Sequence, residues 1–315
     1  MLLPTHFISC DWGTTNFRLR VVRTATLETV ATVPSGHGVR ALNVRFAAAK
    51  RTDRAAFFAA YLRGRLEALP AAHRGHPVVV SGMASANIGM RELPYGELPL
   101  GRGGEGLIFR DLTGWPGRQL RLISGLKSAT GMMRGEETQA LGLLEVLPPG
   151  EDGTLLLPGT HCKHLRYAGG CFTAFTSFMT GELFEALSAH SILAQSVEEG
   201  AWNARAGEVF ADGVRAGFTG GAAAHLFSVR AGQVLRGAPG VEGYYRLSGL
   251  LIGDELRNLP AAGAGVVYLA GSGALSRLYH RALEVVRPNG RLVVYKEEVL
   301  DRALLTGQRI LLGRS

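Results

Sequence analysis

Asp11-Trp12-Gly13-Thr14-Thr15-Asn16 closes an apolar stretch with a carboxylate, a glycine and two hydroxyls. Glycine lets a backbone approach phosphate oxygens, hydroxyls and N–H groups donate to them, and an aspartate can hold hydrated Mg²⁺. The same residues also suit an ordinary hairpin turn in which Asp11 and Thr14 satisfy local backbone groups. A second turn of the same kind, Pro158-Gly159-Thr160-His161-Cys162-Lys163, favours phosphate. Thr160 and Lys163 would there hold terminal phosphates, the lysine as a point charge. Aligning Gly13-Thr14 with Gly159-Thr160, 146 residues on, also brings Leu19-Arg20 onto Leu165-Arg166, the mark of an internal repeat.

Three further stretches carry polar groups. Arg134-Gly135-Glu136-Glu137-Thr138 opens a helix, where acids favour the positive end of the dipole; one carboxylate could equally serve as magnesium ligand or general base. Ser81-Gly82-Met83-Ala84-Ser85-Ala86-Asn87 follows a buried strand, a position that binds ligands in many α/β proteins and in others is a plain connection. Gly271-Ser272-Gly273 lies between a strand and a helix, but position 276 is serine where a dinucleotide fingerprint needs glycine. It reads as a turn that packs against an adenine or ribose. Gly101, Gly103 and Gly106 have the fingerprint letters but follow Pro99 and precede no helical pattern. No Walker A loop is present, and His161 with His164 lacks the companions of a metal site.

The elements that must position these residues are legible in outline. Phe7–Asp11 reads as a buried strand, Phe17–Arg23 alternates with period two, and Glu28–Val33 adds a third strand. Phe58, Leu62, Leu66 and Leu69 make an amphipathic helix of Ala55–Leu69. Pro77–Val80 is a buried strand, and Leu93–Gly117 an irregular excursion rich in Gly and Pro. The second half begins with a helix over Glu136–Val146, a strand over Thr154–Leu157 and a hairpin from Leu165 to Phe175. A strand over Val266–Ala270 and helices over Ala274–Val286 and Glu297–Leu312 complete it. Both halves show strand, Gly-Thr turn and hairpin, which predicts a two-domain α/β chain.

Composition sets the bounds. In 315 residues, 46% hydrophobic and 19% charged describe a folded chain with room for two domains. Three cysteines make no disulfide framework, no apolar run reaches a membrane span, and the start lacks a signal-peptide layout, so a cytoplasmic protein is expected. The net charge of +8 comes from arginines spread along the chain, which argues for steering of anionic small ligands and against nucleic acid.

Four segments taken together resemble the 2-dehydro-3-deoxygalactonokinase family over essentially the whole chain. They are Asp11–Arg18, Met133–Gln139, Leu157–Lys163 and Phe178-Met179-Thr180-Gly181-Glu182-Leu183. The resemblance implies the fold shared by sugar kinases, hexokinase, actin and the heat-shock ATPases: α/β, two ribonuclease-H-like domains with a nucleotide cleft between them. The expected domains are 1–131 and 132–315. By resemblance, Gly13, Thr14 and Thr15 form the first phosphate loop, Gly159, Thr160 and Lys163 the second, and Gly271, Ser272 and Gly273 the adenosine turn. Glu136–Val146 resembles the helix linking the domains, and Glu297–Leu312 the returning one. The superfamily often has an aspartate where the repeat puts Leu157, which leaves Asp11 and Glu136/Glu137 to manage magnesium.

The expected reaction is transfer of the ATP γ-phosphoryl to the 6-hydroxyl of 2-dehydro-3-deoxy-D-galactonate. ATP and Mg²⁺ are the implied cofactors, with Asp11 holding the metal through water. The base is Glu137 or Glu136, with Asp11 as rival. A guanidinium fork suits the substrate carboxylate; Arg18 and Arg134 are the candidates, with Arg91 third, and Asn16, Ser85 and Asn87 complete the substrate set. The alternatives are a kinase for a related sugar acid or sugar, or a non-kinase ATPase of the actin or heat-shock type. No nucleic-acid or membrane partner is expected, and a homodimer is left open.

Overall fold

In the computed structural model, which describes residues 3–33, 36–115, 118–261 and 264–314, the chain forms two compact units. The first is Met1–Gly150 with Ala168–Ala174 and Glu298–Ser315; the second is Glu151–Tyr167 with Phe175–Glu297. The units part at 150/151 rather than at 131/132, and the first is completed by the C-terminal segment.

The first unit begins with an antiparallel meander of β1 (His6–Trp12), β2 (Phe17–Arg23) and β3 (Thr29–Val33). Phe17, Leu19 and Val21 are buried as the period of two requires, but so are Arg20 and Val22, and only Arg18 and Arg23 face outward; Arg20 is enclosed because its guanidinium is held by Asp301. Helices α1 (Val39–Ala48) and α2 (Arg54–Glu67) follow. The Asp53 carboxylate caps α2 by accepting from the Ala56 amide, and Phe58, Leu62 and Leu66 pack on Trp12, Phe17 and Ile8. Strand β4 (Val78–Gly82), buried throughout, pairs parallel with β1. The excursion supplies β5 (Gly96–Glu97) and an edge strand, β6 (Phe109–Asp111); its residues 116–117 lie outside the described residues. Strand β7 (Leu120–Ile123) lies parallel to β4, while β8 (Leu126–Lys127) and β9 (Met132–Met133) join β5 in a small sheet. Helix α3 (Glu136–Leu143) ends three residues earlier than its apolar pattern suggests.

The plan recurs with β10 (Gly153–Leu157), β11 (Cys162–Ala168) and β12 (Cys171–Phe178), which make up the second unit's meander apart from Ala168–Ala174, counted with the first. Then come α4 (Thr180–His190), α5 (Ala204–Gly220), α6 (Phe227–Arg236) and α7 (Gly240–Leu256). Strand β13 (Val266–Ala270) pairs parallel with β10, α8 (Gly273–Val286) follows, and β14 (Leu292–Tyr295) pairs parallel with β13. Helix α9 (Glu297–Leu312) closes the chain with the expected bounds.

The main sheets run β3-β2-β1-β4-β7-β6 and β12-β11-β10-β13-β14. In each, three antiparallel strands are followed by a fourth parallel to the first and a fifth parallel to the fourth. This is the ribonuclease-H-like order, present twice, and it gives the chain the expected fold class.

Of the elements that the sequence pattern did not supply, which include α4, α6 and β14, four have a clear physical reason. Helix α1 buries only Val39 and Leu42, too few for a periodic signal. Strand β7 is interrupted by Arg121, which reads as a surface residue but is 2% exposed, its guanidinium on Asp111 and the Leu311 carbonyl. Helices α5 and α7 are rich in glycine, a poor helix former. Their glycines mark where the two helices touch. A Cβ at Gly217 would stand 2.1 Å from the Leu250 carbonyl oxygen, and one at Gly253 2.2 Å from that of Val214.

Substituting Gly253 by Ala should therefore cost about 1–3 kcal/mol of stability. Gly64, in the middle of α2 with no atom within 4 Å of its missing Cβ, serves as control: Gly64→Ala should add roughly 0.5–1 kcal/mol. Chemical denaturation measures both. Equal effects would remove the close α5–α7 crossing.

Candidate active site

In the first unit, the register sets Asp11 opposite Arg18 on one side and Ser81 on the other, and Trp12 opposite Phe17 and Gly82. Trp12 anchors the turn from below: it is fully buried, its ring lies 5.1 Å from Phe17, and its indole N–H donates to the His37 carbonyl. The turn itself is braced by the start of α1. The amides of Val39, Arg40 and Gly38 donate to the carbonyls of Gly13, Thr14 and Thr15 at 3.0, 3.0 and 3.1 Å. Gly38 has no room for a side chain, since a Cβ would sit 2.3 Å from the Thr15 carbonyl carbon.

The second turn shows the same arrangement with different donors. The Cys162 thiol lies 3.2 Å from the Gly159 carbonyl, the Glu182 amide donates to Thr160 at 3.1 Å, and the Lys163 ammonium donates to His161 at 2.7 Å. Three consecutive carbonyls are thus occupied in each turn, at positions 146 residues apart. The amides of Thr14, Thr15, Thr160 and His161 donate to nothing among the described residues. A turn whose carbonyls are taken and whose amides are unused offers its positive side to an anion.

The repeat is one residue out of register beyond the turn. Leu157 pairs with Lys163, whereas the offset from Asp11–Arg18 would pair it with His164. Lys163 is 2% exposed and braces the turn through His161. The exposed His161 ring is 2.6 Å from Glu182. Gly181 lies against the turn: a Cβ there would be 2.7 Å from the Gly159 oxygen. Two of the segments singled out in the sequence, Leu157–Lys163 and Phe178–Leu183, therefore meet.

Asp11 is half-buried, and its carboxylate receives no hydrogen bond from the described residues. Burial pushes its pKa up, against the pull of Arg18 and Arg20. Both arginines are held by Asp301 on α9, at 3.0 and 2.9 Å. Ser81 is buried and accepts from the Gln308 amide at 2.9 Å. Gly82 (φ 94°) and Gly135 (φ 118°) adopt a backbone that favours glycine, and a Cβ on Gly135 would lie 3.5 Å from the Gly82 Cα. The ends of β1 and β4 and the start of α3 thus come together.

The acids of α3 turn back on their own loop. Glu136 accepts from the Arg134 amide at 3.1 Å, and Glu137, fully buried, from the Gly135 amide at 2.5 Å and the Thr138 hydroxyl at 3.1 Å. Burial, with the charge of Glu136, raises the Glu137 carboxyl to about 8. Arg134 donates to the carbonyl and the hydroxyl of Ser85, both at 2.6 Å, and lies over the Tyr95 ring. Thr15, Asn16, Asn87 and Arg91 are exposed, and Arg91 has no ion-pair partner among the described residues.

In the second unit, Gly271 packs against the Pro158 ring, which sets the Gly271-Ser272-Gly273 turn beside Gly159. A cavity of about 560 Å³ opens next to it, lined by Trp202, Tyr244 and Tyr245 with Ala274 and Arg277 of α8. The Tyr245 hydroxyl is tied to the Gly200 carbonyl at 2.8 Å, so its ring is fixed as a wall. Aromatic walls and a cation suit a flat heteroaromatic base. These residues, and the bracing residues Gly38–Arg40, lay outside the sequence reading. The run Trp202, Tyr244, Tyr245 was the available signal.

The model of the 2-keto-3-deoxy-galactonokinase family matches residues 11–305. A Rhizobium meliloti protein named as a candidate 2-dehydro-3-deoxygalactonokinase is 35% identical over 311 residues, 95% of each chain. The 2-dehydro-3-deoxygalactonokinase of Escherichia coli is 28% identical over 292 residues, 90% of this chain and 91% of its own. A crystal structure from Sinorhizobium meliloti, of a protein named as a candidate for the same activity, superposes with a TM-score of 0.82 at 31% identity. It covers 98% of this chain and 100% of its own.

The raised Glu137 carboxyl has a consequence for stability. An unfolded glutamate loses its proton near 4.5, whereas the folded one keeps it to about 8. Stability should therefore fall as pH rises between those values and level off above them. Glu137→Gln, which mimics the protonated form, should flatten that part of the profile in thermal unfolding from pH 5 to 9. An unchanged slope would show that Glu137 is ionised in the fold.

Proposed function

The chain belongs to the 2-keto-3-deoxy-galactonokinase family, and on that premise we propose that it transfers the ATP γ-phosphoryl to the 6-hydroxyl of 2-dehydro-3-deoxy-D-galactonate. The observation that carries this reading is the family match beginning at Asp11 and spanning both glycine-threonine turns. The twice-built turn, its carbonyls occupied and the amides of Thr14, Thr15, Thr160 and His161 without an acceptor among the described residues, supports phosphate as the ligand.

Phosphoryl transfer asks a protein for positioning and charge neutralisation more than for covalent help. Thr14 and Thr15, by amide and hydroxyl, are assigned to phosphate oxygens in the first unit, and Thr160 and the His161 amide in the second. The base is assigned to the cavity walled by Trp202, Tyr244 and Tyr245. A half-buried carboxylate that lacks a hydrogen-bond donor fits a hydrated Mg²⁺, so Asp11 would hold the ion through water. A magnesium at this place would be held mainly by water and phosphate. The ion, when bound, supplies charge neutralisation at the phosphates.

Of the three carboxylates considered as base, Asp11 has an uncommitted side chain, while Glu136 and Glu137 serve their own helix start. We therefore assign the acceptor hydroxyl's proton to Asp11. For the substrate carboxylate, Arg18 is committed to Asp301 and Arg134 to Ser85. Arg91, exposed beside Asn87, is the assigned clamp. No helix among the described residues is long and apolar enough to cross a membrane; a cytoplasmic setting is part of the same proposal.

Coupled ADP release with Mg·ATP tests the reading, using 2-dehydro-3-deoxygalactonate, its gluconate epimer, galactonate and galactose. Turnover should be confined to the 2-keto-3-deoxy acids; turnover of galactose alone would replace the substrate class. Asp11→Asn should lower kcat by at least about 10²-fold while the protein stays folded. A kcat near that of the parent would remove Asp11 from the chemistry.

A further inference from the structure

Behind the second turn lies a chain of buried polar side chains to which phosphoryl transfer gives no task. Glu255, near the end of α7, is 4% exposed. Its Oε1 is 2.7 Å from the His164 ring on β11. Its Oε2 accepts from the Tyr279 hydroxyl on α8 at 2.6 Å and from the Thr180 hydroxyl, the first residue of α4. Because the Tyr279 proton goes to Glu255, the one thiol proton of Cys162 is shared between the Tyr279 oxygen, 2.9 Å from the sulfur, and the Gly159 carbonyl, 3.2 Å from it. From one carboxylate, hydrogen bonds thus run to both supports of the Gly159–Thr160 turn. One path goes through Tyr279 and Cys162 to the Gly159 carbonyl. The other goes through Thr180 to the start of α4, whose Gly181 and Glu182 lie on Gly159 and Thr160.

We propose that Glu255 is a positioning residue, holding the Gly159–Thr160 turn and the start of α4 in the shape that receives the nucleotide phosphates. This rests on the reading of that turn as a phosphate loop. A buried carboxylate is costly unless its oxygens are well paired. Apolar side chains would join the same four elements without that cost, but they would not fix the direction of a hydrogen bond. The turn needs direction, because its carbonyls must be held back if its amides are to face an anion. The donors are suited to the task. Burial pushes the Cys162 thiol up to about 11 and the Tyr279 hydroxyl well above its ordinary range, so both keep their protons at neutral pH. Helix α7 is itself fixed in place, since Gly249 and Gly253 set it directly against the backbone of α5.

The test compares Glu255→Gln and Tyr279→Phe with the parent protein. Calorimetry gives the Kd for Mg·ATP, steady-state kinetics give KM for the sugar acid, and thermal unfolding checks the fold. Tyr279→Phe keeps the ring and removes only the linking hydroxyl, so it stands in if the glutamine variant does not fold. Each variant should raise the Kd for Mg·ATP by about tenfold, with the sugar-acid KM changed less than about twofold and unfolding still cooperative. A parallel rise in both constants with a loss of cooperative unfolding would reduce Glu255 to a general structural role and overturn the inference. Thr160→Val separates the two layers of the argument. If it weakens Mg·ATP binding while Glu255→Gln and Tyr279→Phe do not, the inference fails and the phosphate loop stands. If Thr160→Val leaves Mg·ATP binding unchanged, the phosphate-loop reading fails and the inference with it.

Discussion

The parallel pairing of a sheet's first strand with its fourth decides where the polar turns of this protein come to lie. A hairpin strand has its own return on one side; a parallel neighbour on the other side can be reached only by a crossover. The neighbour therefore ends at the same edge as the first strand, and the loops leaving both emerge together. That is why Asp11 stands opposite Ser81 and Trp12 opposite Gly82, and why Gly271, just beyond β13, packs on Pro158, just beyond β10. Without those pairings Gly13-Thr14 and Gly159-Thr160 would be two unrelated hairpin tips.

Keeping polar groups at those edges loads the interior with groups that ordinary packing would avoid, and the two units meet the cost differently. In the first, Glu137 is enclosed and burial pushes its carboxyl up to about 8, which disfavours a buried charge at neutral pH. Ser81 is satisfied by Gln308, while Ser9 Oγ and Gln308 Oε1 have no partner among the described residues. Ordered water commonly completes such groups. In the second unit Glu255 sits among a ring nitrogen and two hydroxyls, its oxygens engaged within the protein.

Much of the scaffold was legible because burial and periodicity agree there. The apolar spacing of α2, the unbroken run of β13 and the bounds of α9 need only one rule each. Legibility failed where a residue type contradicts its environment. Arg121 is buried in a strand, Lys163 is buried behind the turn it was expected to serve, and the glycines of α5 and α7 act as contact surfaces inside helices. The candidate site divides in the same way. The turns are local and their residue types announce them, so Gly13–Thr15 and Gly159–Thr160 could be found. What holds the first turn is not local: the amides of Gly38, Val39 and Arg40 that take its carbonyls come from the next element, whereas in the second turn Cys162 and Lys163 are local and only the Glu182 amide comes from elsewhere.

The repeat shows what is common to the two turns and what is free to differ. Asp11 has Leu157 as its counterpart, 6% exposed, so the carboxylate has no equivalent in the second unit. The hairpin register differs by one residue, and the bracing donors agree only at the middle carbonyl, where an amide from the first turn of a helix, Arg40 or Glu182, reaches Thr14 or Thr160; the flanking donors are the Gly38 and Val39 amides in one case and a thiol and an ammonium in the other. The constant is that carbonyls 13–15 and 159–161 are all engaged. That the same three carbonyls are engaged by donors only partly alike points to a requirement of the turn itself. An amide face toward an anion requires it, because a carbonyl dipole turned toward a phosphate would repel it. The same geometry accounts for Lys163, whose buried ammonium engages the His161 carbonyl from behind the turn.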